Sequence, residues 1–433
     1  MNRKIYIDGG NGEVTLPSSK SDVHRILLAA ALARTPSKVI IRGMSKDIEA
    51  TMDCLCQLGA SIQRIDEEMW EVQPIWEKRE TRLHTQEPIN LHCGECGATL
   101  RFLLPVAGAV LPEFTMSGEG RLPDRPIIEL VTQMEENGCS FSEPTLPFKV
   151  TGKLQSGKYI LAGNVSSQYI TGLMYALPLL EGDSEIRLTS PLESKGYIDM
   201  TMNTLEKFGV CIEEREFGYF IRGKQVFVSP PIIEAEGDWS NAAFFLAMGA
   251  IKGPVTCFGL AKDTKQGDAK IVELLERFGA KIDQSNGFTI QKGELRGIDI
   301  DASAVPDLVP ILGVVASVSQ GETRIYNAKR LRIKESNRLE TVQEGLSRLG
   351  VSIEETDDGL RIQGERTKAT KATNATNTSQ VSGYGDHRIV MAMSVAALAL
   401  EEEIVIEGTQ AVEKSYPTFF EAWEQIGGRT DVI

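Results

Sequence analysis

Two kinds of helical pattern alternate along this chain. The first is amphipathic, and it ends in a glycine and a small residue that precede a strand-like run. Glycine is typical of the position after the last helical turn, so each instance predicts a helix, a stop and a strand. The glycines lie 79, 71, 70, 71 and 77 positions apart, and they are Gly59, Gly138, Gly209, Gly279, Gly350 and Gly427. This even spacing predicts a sixfold repeat.

The second helical pattern is apolar on nearly every side, which is typical of a buried helix. A polar or glycine-bearing loop opens each instance, and the helices begin near His24, Ala98, Gln168, Ser240, Asp307 and His387. The repeat is longer than the roughly 20 to 50 residues of a solenoid repeat, so we expect folded βα subdomains. Six of them indicate two lobes of three, with the helices inside, the sheets outside and a join near Pro230-Pro231.

The first buried helix, within Leu16–Ala33, opens with an unusual placement of charge. Ser19 or Ser21 can serve as its N-cap, while Lys20 and Arg25 lie in its first turns. Cations repel the positive end of the helix dipole, so their presence there favours a bound phosphate or carboxylate. Taken alone, the segment is explained equally well by a solvated helix start with two harmless charges.

Composition narrows the functional classes. The chain has 433 residues, a formal net charge of −14 and a sequence pI of about 5.0. This balance argues against a general nucleic-acid-binding or membrane-binding surface, so any basic cluster has to be local. The N-terminal residues lack an apolar signal region, and the longest apolar runs, near Ile389–Leu400, are too short to span a bilayer. We therefore expect a cytoplasmic protein.

The seven cysteines are odd in number and scattered, which favours reduced thiols over a disulfide framework. Cys93 and Cys96 form a CxxC pair, but no second pair follows, and the four histidines show no zinc-finger spacing. We expect two ordinary thiols there and no metal site or cofactor.

The segment 367–379 is rich in Ala, Thr, Lys and Asn. Low-complexity composition of this kind predicts an exposed inserted loop without a chemical role.

The loops that open the buried helices carry most of the unusual polar residues. If the repeat relates the six helices, their N-termini can face one another across a cleft between the lobes and focus several dipoles on one anionic ligand. The residues concerned are Ser18, Ser19, Lys20, Ser21, Arg25, Gly97, Arg101, Ser166, Ser167, Gln168, Asp238, Ser240, Asp307, Asp386, His387 and Arg388.

Further basic residues lie in Arg121–Arg125, in Arg330–Arg338 and at Lys414. Lys334 and Arg338 are four positions apart, so on one helix they would stack like charges, which either an anion or a solvated face can accommodate. Glu335 and Asp307 are the carboxylates best placed for proton transfer, with helix capping as the alternative role for Asp307.

Seven of these segments together resemble the EPSP synthase family, the 3-phosphoshikimate 1-carboxyvinyltransferases, from about residue 5 to 425. They are LPSSKSDVHR, GATLRF, LPDRP, SSQY, KESNR, GDHR and KSYPTFFEAW. The resemblance implies a two-lobe inside-out α/β barrel of six βαβαββ repeats, three per lobe, with buried parallel helices. It implies one lobe over 18–228, mainly binding phosphoshikimate. The second, over 1–17 and 229–433, would mainly bind phosphoenolpyruvate and hold the catalytic groups, with the active site in the cleft.

The resemblance also assigns the two substrates to particular side chains. For shikimate 3-phosphate it implies Lys20, Ser21, Arg25, Ser166, Ser167, Gln168, Ser194, Tyr197, Asp307 and Lys334. For phosphoenolpyruvate it implies Lys20, Gly97, Arg125, Gln168, Arg338, Arg388 and Lys414. The chain departs from many members at Glu95 and Ala98, and from some at Arg330.

The family's reaction adds the 5-hydroxyl of shikimate 3-phosphate to C2 of phosphoenolpyruvate, protonates its methylene, and then loses phosphate. This needs a base, an acid and strong anion binding, and no metal. We expect Lys20, Asp307 and Glu335 to transfer protons, with His387 near the substrate; which group acts on which atom stays open. The resemblance further implies a monomer and sensitivity to glyphosate at Gly97.

Two alternatives remain open at this point. The sister family transfers enolpyruvyl to UDP-N-acetylglucosamine, but it typically has Lys-Asn where this chain has Lys20-Ser21, and often a reactive Cys near Gly118–Arg121. The other alternative is a phosphometabolite sensor without catalytic activity on the same scaffold.

Overall fold

A computed structural model describes residues 1–76, 89–364 and 378–433. The chain divides into two compact units, one made of Met1–Ser19 with Glu236–Ile433 and the other of Lys20–Ala235. Each unit has its own cluster of buried hydrophobic side chains. Nearly all of the low-complexity segment 367–379 falls outside the described residues.

The described residues form short strands and helices in regular alternation. The strands are β1 Asn2–Ile5, β2 Gly12–Thr15, β3 Ser37–Ile40, β4 Ser61–Arg64, β5 Met69–Gln73, β6 Asn90–His92, β7 Glu113–Ser117, β8 Cys139–Phe141, β9 Phe148–Gly152, β10 Lys158–Leu161, β11 Ser184–Leu188, β12 Ile212–Arg215, β13 Gly218–Ile221, β14 Ile232–Glu234, β15 Val255–Phe258, β16 Lys281–Asp283, β17 Phe288–Gln291, β18 Asp299–Asp301, β19 Glu322–Tyr326, β20 Ser352–Glu355, β21 Leu360–Gln363, β22 Ser379–Ser382, β23 Ile404–Glu407 and β24 Thr430–Val432. The α-helices are α1 Lys20–Leu32, α2 Lys46–Leu58, α3 Gly97–Val110, α4 Ile128–Glu136, α5 Ser167–Ala176, α6 Lys195–Lys207, α7 Trp239–Ile251, α8 Ile271–Phe278, α9 Val309–Ser317, α10 Arg338–Arg348, α11 His387–Leu400 and α12 Phe419–Gln425.

The strands assemble into six four-stranded sheets that share one order. In the sheet of β10, β11, β13 and β12, β10 is parallel to β11, which is antiparallel to β13, which in turn is antiparallel to β12. With α5 and α6 between the strands, this is a βαβαββ unit, and its parallel pair needs the helical crossover that α5 supplies. The sixfold repeat is thus present in the strand order as well as in the glycines.

Three strands close sheets whose other members are distant in sequence. β14 pairs with β3 in parallel, so the Lys20–Ala235 unit extends to Ala235, beyond the boundary expected at 228. In the other unit β2 pairs in parallel with β15, and β1 lies between β23 and β24. These pairings occupy sheet positions that would otherwise be exposed edges.

The six repeat glycines all have positive φ, between 76° and 116°. After α8, the Gly279 N–H bonds to the carbonyl oxygens of Leu275 and Glu276, which ends the helix. A Cβ at Gly279 would also lie 2.3 Å from the Glu294 carbonyl oxygen, so the turn requires glycine for both conformation and space.

The apolar helices are buried along nearly their whole length, as the pattern predicts. In α1 every residue from Asp22 to Leu32 is buried, rather than one face alone. No helix within the described parts of the chain combines the length and hydrophobicity that crossing a bilayer requires.

Candidate active site

The first turn of α1 carries an ion pair that the sequence pattern did not identify. α1 begins at Lys20, which puts Ser19 at the N-cap position and Ser21 inside the first turn. The Lys20 ammonium lies 2.8 Å from Oδ2 of Asp47 in the first turn of α2, and both side chains are mostly buried. Asp47 therefore offsets the cation that the helix dipole disfavours at this end of α1.

Arg25 lies one turn further along α1 and is 2% exposed. Its guanidinium donates to the carbonyl oxygens of Ser21, at 2.6 Å, and Tyr197, at 2.9 Å, and to Thr201 Oγ1, at 2.9 Å. Burial lowers the pKa of Arg25 from its ordinary value. Neutral oxygens thus accept the hydrogen bonds of this guanidinium, while the charge of the nearby Asp22 carboxylate opposes the effect of burial on its pKa.

A second arginine group surrounds the start of α3. The Arg101 guanidinium donates to Gln168 Oε1 at 2.7 Å and to the Pro126 carbonyl oxygen at 3.0 Å. A Cβ built on Gly97 would lie 2.8 Å from Nη1 of Arg125 and 3.0 Å from Nη1 of Arg101. The Gly97 backbone therefore lies directly against two guanidinium groups, and Gln168 joins the same cluster.

Close packing of α3 and α5 brings Arg101 to Gln168. A Cβ at Gly172 in α5 would lie 2.2 Å from the Arg101 carbonyl oxygen, so only glycine permits this approach. Ser166 caps α5, its side chain accepting from the Gln168 N–H at 3.3 Å. Glu95, where the chain departs from the family pattern, lies against the turn at Gly120.

The remaining predicted phosphoshikimate residues of this unit lie before and within the first turn of α6. Ser194 is 4% exposed and has a left-handed backbone, with φ 53°, which is costly for a residue with a side chain. Its carbonyl oxygen accepts from the Tyr197 N–H at 3.0 Å. Thr201, which bonds Arg25, also bonds Thr171 of α5 at 2.9 Å, so the second turns of α1, α5 and α6 are linked.

In the other unit, Arg338 is the centre of a buried charge cluster. It is the first residue of α10 and is 1% exposed. Its guanidinium donates to Asp307 at 2.6 Å, to Glu335 at 2.8 Å, and to both carboxylate oxygens of Asp386 at 2.8 and 3.2 Å. Burial works against the charge, but the three carboxylates outweigh it and raise the pKa of Arg338.

The Asp307 carboxylate lies close to three cationic side chains. Besides Arg338, its carboxylate lies 3.8 Å from the Lys334 ammonium and 3.4 Å from Nη2 of Arg388. Burial lowers the pKa of Lys334 to about 8, against the attraction of Asp307. Three ion pairs therefore define the surroundings of this carboxylate.

The expected stacking of Lys334 and Arg338 on one helix face is wrong. Lys334 follows a 3₁₀ turn, Lys329–Ile333, in an extended conformation, and α10 starts only at Arg338. Both cations pair with Oδ1 of Asp307, so a shared carboxylate and not a helical turn relates them.

Asp386 links this cluster to α11. As the N-cap it accepts from the Arg388 N–H at 3.0 Å, and it also binds Arg338. Burial opposes ionisation, but Arg338 outweighs it and lowers the pKa of Asp386. His387 Nδ1 lies 3.8 Å from Asp386, and Lys414 donates to the Gly385 carbonyl oxygen at 2.9 Å.

A further buried acid, Asp268, was not among the predicted site residues. Its carboxylate accepts a hydrogen bond from Ser240 at the start of α7. Burial, reinforced by the charge of Asp307 and opposed by Arg388, raises the pKa of Asp268 to about 6. Only its neighbour Ser240, at a helix opening, had been marked by the sequence pattern.

One group of side chains could hold a metal. His24, Asp47 and Cys96 are all buried and each offers a ligand atom within 4.8 Å of the other two. Burial raises the pKa of Cys96 to about 12, while burial and the charges of Lys20 and Arg25 lower the pKa of His24. The CxxC spacing does not predict this group, because Cys96 joins a histidine and an aspartate from two other helices.

Comparison with known proteins supports one family. A model of the family described as EPSP synthase (3-phosphoshikimate 1-carboxyvinyltransferase) matches residues 7–423. A 3-phosphoshikimate 1-carboxyvinyltransferase from Clostridium kluyveri is 40% identical over 424 residues, covering 97% of this chain and 96% of that protein. One from Clostridium acetobutylicum is 40% identical over 422 residues, covering 96% and 95%.

Solved structures confirm the predicted fold class, the inside-out α/β barrel of six repeats. An EPSP synthase from Acinetobacter baumannii superimposes with a TM-score of 0.79 at 24% identity, and both chains are fully covered. The enolpyruvyl transferase NikO from Streptomyces tendae gives 0.75 at 17% identity, covering 99% of this chain and 98% of its own.

Proposed function

The chain belongs to the EPSP synthase (3-phosphoshikimate 1-carboxyvinyltransferase) family, and we propose that it transfers the enolpyruvyl group of phosphoenolpyruvate to the 5-hydroxyl of shikimate 3-phosphate. The products are 5-enolpyruvylshikimate 3-phosphate and phosphate, on the route to chorismate and the aromatic amino acids. The observation that carries this assignment is the family match over residues 7–423, with relatives 40% identical over nearly the whole chain.

For shikimate 3-phosphate, the proposal uses the N-terminal parts of α1, α5 and α6, which hydrogen bonds between their second turns link together. Arg25 is held by neutral oxygens, so its positive charge is available to a phosphate. Hydroxyl groups and helix N-termini add donors for the same anion. The residues assigned to this substrate are Lys20, Ser21, Arg25, Ser166, Ser167, Gln168, Ser194, Tyr197, Asp307 and Lys334.

For phosphoenolpyruvate, the proposal uses the two guanidinium groups against Gly97. Without a side chain at Gly97, an anion can approach both the backbone N–H groups at the start of α3 and the Arg125 side chain. Arg101 fixes Gln168 by its 2.7 Å hydrogen bond and so positions a polar group beside them. The set assigned is Lys20, Gly97, Arg125, Gln168, Arg338, Arg388 and Lys414.

Proton transfer is assigned to Lys20, Asp307 and Glu335, with His387 close by. The reaction removes the proton of the 5-hydroxyl as its oxygen bonds to C2, and places a proton on the methylene carbon. The second step removes a methyl proton as the C2–O bond to phosphate breaks. Asp307, held by Arg338, Lys334 and Arg388, has the ion partners that stabilise a carboxylate base.

Phosphate release tests the assignment. Phosphoenolpyruvate is incubated with the protein and either shikimate 3-phosphate, UDP-N-acetylglucosamine or no acceptor. We expect release only with shikimate 3-phosphate. Release driven by UDP-N-acetylglucosamine would support the sister activity instead. Stabilisation by shikimate 3-phosphate in thermal melts, without any release, would leave a binding protein.

A further inference from the structure

The trio His24, Asp47 and Cys96 combines nitrogen, oxygen and sulfur ligands in one buried place. Nε2 of His24 lies 3.9 Å from Sγ of Cys96, and all three ligand atoms lie within 4.8 Å of one another. The side chains come from α1, α2 and the residue that caps α3, so three elements of the same unit fix their positions. Mixed ligands of this kind are typical of zinc and of related thiophilic cations.

A hydrogen-bond chain behind the trio orients two of its ligands. Nδ1 of His24 bonds Thr51 Oγ1 at 2.7 Å, and Thr51 bonds Thr99 Oγ1 at 2.6 Å. The Thr99 N–H in turn donates to Cys96 Sγ at 3.4 Å. Because Thr51 engages Nδ1, Nε2 is the nitrogen that faces Cys96, and an outer partner of this kind is what metal-binding histidines usually have.

We propose that His24 Nε2, Asp47 and Cys96 Sγ bind Zn²⁺ or a similar thiophilic divalent cation, with water as the fourth ligand, and that the bound metal inhibits by taking Asp47 from Lys20. Coordination transfers the Cys96 thiol proton to the buffer. The thiolate and the Asp47 carboxylate then offset the charge of the metal, while the Lys20 ammonium leaves its 2.8 Å contact with Asp47.

The required movement is small. Bond lengths of about 2.0 to 2.3 Å in a tetrahedral site place ligand atoms roughly 3.3 to 3.6 Å apart, so no pair of the trio has to approach by more than about 1.5 Å. Asp47 and Lys20 retain 12% and 17% exposure of their side chains, so both can reorient. The metal takes no part in the reaction proposed above. It competes with Lys20 for the Asp47 carboxylate.

Binding is tested with Co²⁺, whose thiolate complex absorbs in the near ultraviolet. We expect the wild-type chain to bind one Co²⁺ with a charge-transfer band, and Zn²⁺ to abolish that band. Cys96→Ser should lose the band while keeping the cap on α3, because a serine hydroxyl can accept the Thr99 N–H. His24→Gln is a second variant that should weaken binding, and Cys211→Ser, at an exposed cysteine, is the matched control that should keep it.

The inhibitory part rests on the proposed function, because it depends on Lys20 acting in the reaction. Zn²⁺ should inhibit phosphate release by the wild-type chain and by Cys211→Ser. In Cys96→Ser, whose activity without Zn²⁺ should be unchanged, the Zn²⁺ concentration for half inhibition should rise by at least about tenfold.

The two claims can fail separately. If the wild-type chain gives no cobalt–thiolate band, or Cys96→Ser keeps it, the metal site is excluded whatever the activity. If Zn²⁺ inhibits the wild-type chain and Cys96→Ser equally, the metal acts elsewhere and the inhibitory mechanism is wrong. If no phosphate is released even without metal, the proposed function fails and the cobalt titration still decides the site.

Discussion

The two charge clusters of this chain each contain a buried arginine, but the two arginines have opposite kinds of hydrogen-bond partner. In the Lys20–Ala235 unit, Arg25 donates to two backbone carbonyl oxygens and a threonine hydroxyl. In the other unit, Arg338 donates to three carboxylates. The first cation stays uncompensated by these contacts, whereas the second belongs to a group in which negative charge at least balances positive charge.

This difference indicates that the two clusters have different roles. A rigidly held guanidinium that donates to neutral oxygens is prepared to bind an anion, since these hydrogen bonds do not tie it to a carboxylate that has to be displaced first. A cation enclosed by carboxylates instead fixes those carboxylates in place, which is what acid–base groups need. We therefore expect variants of the first cluster to change substrate binding, and variants at Arg338 to change stability first.

Arg338→Met should produce the largest effect on the free energy of unfolding. Removing the guanidinium leaves Asp307, Glu335 and Asp386 facing one another without their shared cation, and breaking a buried pair costs about 3 to 5 kcal/mol. Urea unfolding at neutral pH measures the loss as a lower midpoint.

Arg348→Met is the matched control for that experiment. Arg348 lies on the same helix, but its side chain is 56% exposed and pairs with Glu344 at the surface, so its loss should cost less than about 0.5 kcal/mol. Equal midpoints for the two variants would contradict the view that Arg338 holds the cluster together.

Lys20→Met should reduce phosphate release by about 10² to 10³-fold, because the only cation assigned to both substrates is lost. The fold should survive, since Asp47 keeps access to water at 12% side-chain exposure. Lys38→Met, at an exposed position on β3, is the control and should retain activity. Near-normal turnover by Lys20→Met, with an unchanged melting temperature, would remove Lys20 from the site.

The sequence predicts local features of this fold well because their causes are local. The helix end at Gly279 depends on the φ of that residue and on one nearby carbonyl group. The apolar character of α7 depends on the residues of that helix alone. The C-terminal end of the Lys20–Ala235 unit lies beyond the expected 228 because β14 pairs with β3, nearly two hundred positions earlier. Nothing near Pro230 records that pairing.

The candidate site shows the same limit. Lys20 was recognised as an anomaly at a helix start, yet its partner Asp47 lies 27 positions away and looks like an ordinary first-turn acid of α2. Asp386 was marked as a helix opening, and its bond to Arg338, 48 positions away, could not be read from spacing. Residue types at helix starts are visible in the sequence, but pairing between repeats is not.

Gly97→Ala should have an intermediate effect, confined to the arginine group at the start of α3. The new Cβ would meet Arg125 at 2.8 Å and Arg101 at 3.0 Å, and both are ends of flexible side chains that can shift. We expect a rise of about tenfold in KM for phosphoenolpyruvate, roughly 1.4 kcal/mol, with little change in melting temperature.

Gly253→Ala is the control, because the nearest atom to a Cβ there lies 3.6 Å away. If Gly97→Ala raised KM for shikimate 3-phosphate and left KM for phosphoenolpyruvate unchanged, the assignment of Gly97 and Arg125 to phosphoenolpyruvate would be wrong.

The smallest expected effect is a pH dependence that originates in the second cluster. Burial lowers the pKa of Lys334 to about 8, so the free protein loses this positive charge as the pH rises through that value. If Lys334 binds shikimate 3-phosphate, kcat/KM for that substrate should fall a few-fold between about pH 7 and 9. Lys334→Arg, which stays charged, should flatten this part of the profile.

Stability should change with the opposite sign over the alkaline range. Between about pH 8 and the ordinary lysine pKa of about 10.4, the unfolded chain holds the Lys334 proton that the folded chain has lost. Lys334 therefore makes the free energy of unfolding rise with pH in this range. Below about pH 8 both states are protonated, so the free energy of unfolding no longer depends on pH through Lys334. Lys334→Met should remove that rise in urea titrations at successive pH values. An identical pH dependence in the wild-type chain and in Lys334→Met would show that Asp307 holds the ammonium charged, and that the two clusters differ less than their geometry indicates.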